Sequence, residues 1–324
     1  MKILVIGGGS IGRRHLRNLI SLSYRELAVF EPNELGRREL AKLGYKTFDC
    51  LNKALDWQPQ VAVIASPTDK HTEQAIQAAR LGIHLFIEKP ISHTMSALKS
   101  LSEEVAKRQL VTMVGCNMRF HHGPRHVEEE LASVGNVLSI RLHCGSFLPR
   151  WRPHQDYRLS YSADCESGGA ILDCIHEIDI ALWLLGPGVM IAAAHIPAKS
   201  ISLETDGLVE MLIQHHCGSL SSINLNYIER DYRRNYVIIG DKGTIEWDFG
   251  RGEVLVFGQD GNVAKKIKEP ADWELNNMYV DEMKHFLHCV EVGEGTSNPV
   301  DNAIETLRVA LEARGNNLWK TAAK

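Results

Sequence analysis

The sequence predicts an α/β fold: a doubly wound parallel sheet, then an α+β domain whose sheet is open and mainly antiparallel. Three observations carry that expectation. Strand-like and helix-like runs alternate from Met1 to about His121. The first strand runs directly into the glycine-rich turn Gly7-Gly8-Gly9-Ser10-Ile11-Gly12. Beyond His121 the pattern changes to short strand runs joined by polar turns.

The chain has 324 residues, room for two domains of ~100–200 residues each. Its 44% hydrophobic and 23% charged residues permit a large core. A net charge of −4 supplies no electrostatic footprint for nucleic acid or a membrane surface. Seven cysteines stand singly with no CxxC pair, which reads as reduced thiols and a cytoplasmic setting. The N-terminal apolar run is too short for a signal peptide, and no run approaches the ~18 apolar residues of a membrane span.

Met1–Ile6 is a short apolar strand, and Gly7-x-Gly9-x-x-Gly12 follows at the spacing of a dinucleotide-binding turn. Gly7 permits the tight turn, Gly9 lets backbone approach a pyrophosphate, and Gly12 allows close helix–strand contact. A helix over 11–22 then presents its first N–H groups, from Ser10 and Ile11 onward, to phosphate. A second strand, 27–30, ends in Glu31, 19 residues after Gly12, where a carboxylate accepts ribose hydroxyls and repels a 2′-phosphate. That favours NAD, while Arg37 and Arg38 keep NADP open. Further expected elements are a helix over 35–43 stopped by Gly44, a strand over 61–65, and a helix to Arg80 capped by Thr68 or Asp69. A strand over 84–87, a helix over 94–108 and a strand over 110–115 complete the region. Ligands of such sheets bind beyond the carboxyl ends of the strands. This places Gly7–Gly12, Glu31, Ser66-Pro67-Thr68 with His71, Glu88-Lys89-Pro90, and Asn117 to His121 around one crevice.

The expected domains are 1–121 and 122–299, with a helix of about 300–318 packing back on the first. In the second, a helix over 125–132 and a strand over 137–144 precede an irregular, aromatic and basic stretch. A helix over 172–185 follows, then strand runs over 190–197, 208–216, 220–228, 235–239 and 244–249. An edge hairpin (254–257, 263–267) and helices over 274–292 and 300–314 end the chain.

Three constellations bear chemistry. Lys89 stands at a strand's carboxyl end, where an ammonium can hold a substrate oxygen and relay its proton; a surface lysine fits the tripeptide equally well. In Gly168-Gly169…Asp173-Cys174-Ile175-His176-Glu177-Ile178-Asp179, one continuous helix would align Asp173, His176 and Asp179 on one face. A histidine flanked by carboxylates suits acid/base work near neutrality, and also suits a buried hydrogen-bonded contact. Metal is not expected, because four convergent ligands are not evident. Third, Arg150-Trp151-Arg152 and Asp156-Tyr157-Arg158 offer guanidinium forks and aromatic faces to a substrate, or form a self-packed loop.

Together these motifs resemble the Gfo/Idh/MocA family of dinucleotide-dependent oxidoreductases. The resemblance spans the chain: Gly7-Gly9-Gly12, Ser66-Pro67-Thr68 with His71, Glu88-Lys89-Pro90, Asn117 with Arg119-Phe120, and Gly168 to Asp179. It implies a Rossmann domain, NAD or NADP, and a second domain whose open sheet joins a homo-dimer or homo-tetramer. It also implies Lys89 as the catalytic lysine and His176 as the acid/base. Many members place an acid four residues before the histidine; here Asp173 is three before, a candidate for catalysis or for orienting His176. The motifs Trp151-Arg152-Pro153, Asp156-Tyr157-Arg158 and His176-Glu177-x-Asp179 resemble a subgroup of bacterial surface-sugar pathways. The implied substrate is a sugar, sugar acid or nucleotide sugar, met by Arg119, Trp151, Arg152, Tyr157, Asp173 and His176. The implied reaction is hydride transfer at a secondary alcohol or ketone. An NAD-dependent glycosidase and a non-catalytic sugar sensor are the alternatives.

Overall fold

In the computed structural model, which describes residues 1–315, the apolar runs of the N-terminal third form strands buried on both faces. The unit's strands are β1 (Ile3–Ile6), β2 (Leu27–Phe30), β3 (Lys46–Phe48), β4 (Val61–Ile64), β5 (His84–Glu88) and β6 (Thr112–Gly115), of which the edge strand β3 is exposed to half-buried. All pair in parallel, in the order β3-β2-β1-β4-β5-β6. The order reverses between β1 and β4, the switch point where such sheets bind ligands. The side chains of β1 and β4 are wholly buried, as a parallel sheet covered on both sides requires.

Helices α1 (Ser10–Ser21), α2 (Glu34–Lys42), α3 (Leu51–Leu55), α4 (Thr68–Arg80) and α5 (Leu98–Lys107) alternate with these strands. Gly44 and Gly82 end α2 and α4 with φ of +89° and +77°, a conformation that favours glycine. Thr68 is the first helical residue of α4 rather than its cap, and Pro67 precedes it without a side-chain cap bond. Helix α5 starts four residues later than the apolar spacing suggests, after Ala97 at φ +60°. β3 and α3, three and five residues long, are too short to leave a periodic signal.

The second unit holds α6 (His122–Glu130), β7 (Val137–Phe147), α7 (Ala170–Asp173) and α8 (His176–Leu185). Then come β8 (Gly188–Pro197), β9 (Asp206–His215), β10 (Leu220–Asn226), β11 (Ile228–Gly240), β12 (Thr244–Asp248), β13 (Glu253–Phe257) and β14 (Val263–Lys268). Their order is β14-β13-β12-β11-β7-β10-β9-β8. Every pair is antiparallel except β10 with β7, so the sheet is mixed. The helices between β7 and β10 lie within the long crossover that parallel pairing needs, which hairpin composition does not reveal. One face is the core, with Ile140, Leu142, Ile223, Leu225, Tyr236, Ile238, Ile245 and Trp247 at most 2% exposed. Helix α6 approaches closely because residue 123 is glycine: a Cβ there would lie 1.8 Å from Trp247 Nε1.

Helices α9 (Leu275–Val292) and α10 (Val300–Gly315) end the described chain. The compact units are Met1–Asn117 with Leu275–Leu307, and Met118–Glu274 with the residues from Arg308. The sequence division instead grouped 122–299 and returned only the last helix to the first domain. The difference has a packing cause. Helix α9 buries Met283, Phe286 and Leu287, and Phe286 meets Phe86 of β5 edge-on at 5.6 Å. Asn298 then pairs main chain with Val114 of β6 and caps its carbonyl, at 2.9 Å each. Arg308 of α10 donates to Gly188 O at 3.0 Å within the second unit. Residues 316–318 of the expected last helix lie outside the described residues.

Phe286→Ala is expected to lower unfolding free energy by about 3–5 kcal/mol, read by urea denaturation; a loss under about 1 kcal/mol would contradict this packing account. A second expectation concerns acid. His121 is enclosed by Trp247, Phe249 and Trp273, and burial holds its pKa down at about 3 against an ordinary 6.5. The folded state therefore binds this proton less readily than the unfolded chain. Stability is full above about pH 6.5 and falls toward pH 3, at up to about 1.4 kcal/mol per pH unit from this group. Unfolding at pH 7 and pH 5 should show a shallower loss in His121→Gln; equal slopes would contradict the assignment.

Candidate active site

The turn after β1 is built for close approach. Gly7 has φ +103°, and a Cβ on it would lie 2.7 Å from Ala65 O. A Cβ on Gly12 would lie 1.9 Å from Gly7 O, so α1 rests directly on the turn. A Cβ on Gly9 would meet nothing within 4 Å; this is the open cradle into which a pyrophosphate fits. Gly9 precedes α1 with no side-chain cap, so the first N–H groups at Ser10 and Ile11 keep their donors for an anion. Glu31 is held beside the turn: Gly8 N–H donates to Oε2 at 2.8 Å and Asn33 N–H to Oε1 at 2.9 Å. Arg37 donates to the carbonyls of Glu31 and Pro32, and Arg38 pairs with Glu34. Both arginines that left NADP open are thus engaged locally, and the residues present fit the adenosine end of NAD.

Three more segments follow strand ends in this unit. His71 spans two of them, its ring nitrogens facing Pro90 O at 3.0 Å and Ser66 O at 2.8 Å. Burial pushes its pKa down, and the two carbonyls pull the other way. Ser66 Oγ donates to Gln74 at 2.6 Å, while Pro67 is exposed and Thr68 half-buried. Glu88 accepts from buried His15 at 2.6 Å and from Lys89 N–H at 3.3 Å, so its carboxylate is spent on holding the end of β5. Lys89 is half-buried beside it, joined to Pro90 by a cis peptide bond. Asn117, buried, follows β6.

In the second unit the expected single helix is broken. Helix α7 ends at Asp173, α8 begins at His176, and Cys174-Ile175 forms the join. Asp173, His176 and Asp179 therefore do not lie along one continuous helical face. The glycine pair serves the protein itself: a Cβ on Gly169 would lie 2.3 Å from Asp206 Oδ1, and Asp206 accepts Ile171 N–H at 2.8 Å. Each carboxylate near His176 has its own donor. Tyr227 OH donates to Asp173, and burial with the adjacent Asp173 pushes the phenol well above its ordinary pKa, so it stays a donor. Glu177 accepts from Arg234 Nε at 2.6 Å and Tyr236 OH at 3.2 Å. Asp179 receives both prongs of Arg119 at 2.7 Å. Glu177 and Asp179 are 0% exposed, while His176 is half-buried at the first position of α8.

Arg119, a sequence candidate for substrate, is 4% exposed and pins α8 in this structure. Trp151 packs edge-on against Tyr227 at 5.4 Å and donates to Ser146 Oγ at 3.0 Å. Tyr157 OH donates to Ile201 O at 3.0 Å. Trp151, Arg152 and Tyr157 border a crevice of about 10 Å³, room for one water. Tyr227 and Arg234 were absent from the sequence candidates. Their only signals are an aromatic at a strand end and an arginine in a run, with no motif spacing.

This geometry defines a dinucleotide-binding oxidoreductase fold with a histidine-bearing second domain. Comparison with known proteins narrows it. The NAD-binding Rossmann model of the oxidoreductase family matches residues 1–116, and the GFO/IDH/MocA C-terminal domain matches 130–246. The chain belongs to the Gfo/Idh/MocA family, and NAD is its cofactor. It is 30% identical over 304 residues to levoglucosan dehydrogenase of Pseudarthrobacter phenanthrenivorans, covering 79% of this chain and 75% of that protein. It is 27% identical over 309 residues to myo-inositol 2-dehydrogenase of Thermotoga maritima, covering 91% and 89%. The solved levoglucosan dehydrogenase complex with NADH and levoglucosan shares its fold, at TM-score 0.84, 21% identity and 98% of each chain.

Glu31 is expected to make NADH bind at least about tenfold more tightly than NADPH, and Glu31→Ser to narrow that ratio. Calorimetric dissociation constants check this; a tighter NADPH complex would overturn the role given to Glu31.

Proposed function

We propose that this protein is an NAD-dependent dehydrogenase that oxidises a secondary alcohol of a sugar, or reduces the corresponding ketone. The observation carrying this reading is the setting of His176. Asp173, Glu177 and Asp179 all have committed donors, so the half-buried imidazole is the group of this motif suited to exchanging a proton near neutrality. Relatives named for levoglucosan and myo-inositol support a polyhydroxylated substrate.

Bound NAD supplies the hydride acceptor. Oxidation also removes a proton from the hydroxyl, and His176 takes it. Lys89 holds the same oxygen by an ammonium hydrogen bond, which favours the alkoxide character that develops as the hydrogen leaves. Reduction reverses both roles. Asp173, held by Tyr227, orients His176 rather than exchanging the proton. Gly7, Gly9, Ser10, Ile11, Gly12, Glu31, Ser66, Pro67, Thr68, His71, Glu88 and Asn117 shape or contact the dinucleotide site.

The assembly we propose is a homo-dimer or homo-tetramer through the open face of the second unit's sheet. Register places Leu212, Ser222, Arg141, Val237, Glu246 and Leu255 in one row across that face, an apolar and polar mixture of the kind interfaces use. We place the protein in the cytoplasm, a setting in which its seven free cysteines persist. Among the described residues no helix is long and apolar enough to cross a membrane.

Lys89→Ala and His176→Ala should each lower kcat at least about 10²-fold while NADH affinity stays within about threefold. Nicotinamide absorbance against a panel of sugars, sugar acids and nucleotide sugars reads this. Near wild-type turnover in both variants would overturn the assignment.

A further inference from the structure

The second unit carries an arginine cluster that the proposed chemistry does not use. Arg150 and Arg230 both lie over the ring of Phe147, with guanidinium carbons 5.8 and 4.0 Å from its centroid. Arg150 Nη1 donates to Arg230 O at 3.1 Å, which ties the two segments together. Arg152, two residues on, lies 5.3 Å over Tyr161. Among the described residues none of these three pairs with a carboxylate, whereas neighbouring Arg158 pairs with Asp156 and Arg233 with Glu229. Asp231, the next carboxylate along the chain, pairs with none of the three.

Two exposed guanidinium groups beside one phenyl ring carry like charge, and a neutral ring offsets only part of that. An anion would offset that like charge, and the flat guanidinium fork matches carboxylate or phosphate oxygens. The cluster is also joined to the candidate catalytic residues. Phe147 pairs with Ile228, Leu148 N–H donates to Tyr227 O at 3.0 Å, and Trp151 packs on Tyr227, whose hydroxyl holds Asp173.

We propose that Arg150 and Arg230, assisted by Arg152, receive an anionic group of the sugar substrate: the carboxylate of a sugar acid or the diphosphate of a nucleotide-linked sugar. The substrate class rests on the dehydrogenase reading above; the anion site itself does not. The anion is untouched by the reaction, so the arginines bind ground state and transition state alike and act on KM rather than kcat.

The test compares the wild type with Arg150→Gln/Arg230→Gln, both saturated with NADH so that the glycine turn is filled. Calorimetry measures dissociation constants for inorganic pyrophosphate, UDP and glucuronate. Weakening of at least about tenfold for the diphosphates or for glucuronate supports the site and identifies its source. Equal affinity in both proteins for every anion, or no binding to the wild type, overturns it. Lys89→Ala serves as the independent control. Arginine-dependent anion binding in a protein that forms no NADH with any sugar would uphold the site and overturn the dehydrogenase reading.

Discussion

Two buried ion pairs set the geometry of the second unit. Asp179 with Arg119 and Glu177 with Arg234 lie on the first turn of α8, and both carboxylates are inaccessible to solvent. A carboxylate left unpaired there would be strongly destabilising, so the helix can start only where both arginines reach it. That requirement places His176 at the first position of α8. It also explains the break after Asp173, because α7 answers to different partners: Asp206 at its start and Tyr227 at its end. Positioning by paired charge leaves the imidazole half-buried while its acidic neighbours are neutralised.

The first unit obeys a steric constraint rather than an electrostatic one. Its turn works because the main chain of Gly7 touches Ala65 at the end of β4 while Gly12 touches Gly7. These contacts fix the start of α1 against two adjacent strands at the switch point. His71 and His15 then brace the neighbouring strand ends, one through two carbonyls and the other through Glu88. The rim is thus held by side chains that resemble functional residues yet spend their polar atoms on the scaffold.

Sequence pattern revealed most of this fold because both periodicities are strong. Buried parallel strands read as unbroken apolar runs such as Val61–Ile64, and β9, β12 and β13 alternate along one core face. The dinucleotide turn was legible because each glycine has a separate steric task. What escaped depends on contacts distant in sequence. The parallel β7–β10 pairing needs a crossover, and the return of 275–299 to the first unit depends on Phe286 meeting Phe86. The break between α7 and α8 is invisible to periodicity, since Leu172 to Leu185 reads as one apolar helix. Arg119 was visible by type, but its partner Asp179 lies 60 residues away. Tyr227 offered only an aromatic at a strand end, with no motif spacing to single it out.

The most direct test of the account follows the hydrogen itself. A sugar that the protein turns over is labelled with deuterium at the reacting carbinol carbon and incubated with NAD. The reduced cofactor and the sugar product are then analysed by mass spectrometry. A dehydrogenase places the label in NADH, in amounts equal to the ketone formed. Label retained in or returned to a released sugar, with no net NADH, would contradict the account and favour a transient oxidation that ends in bond cleavage.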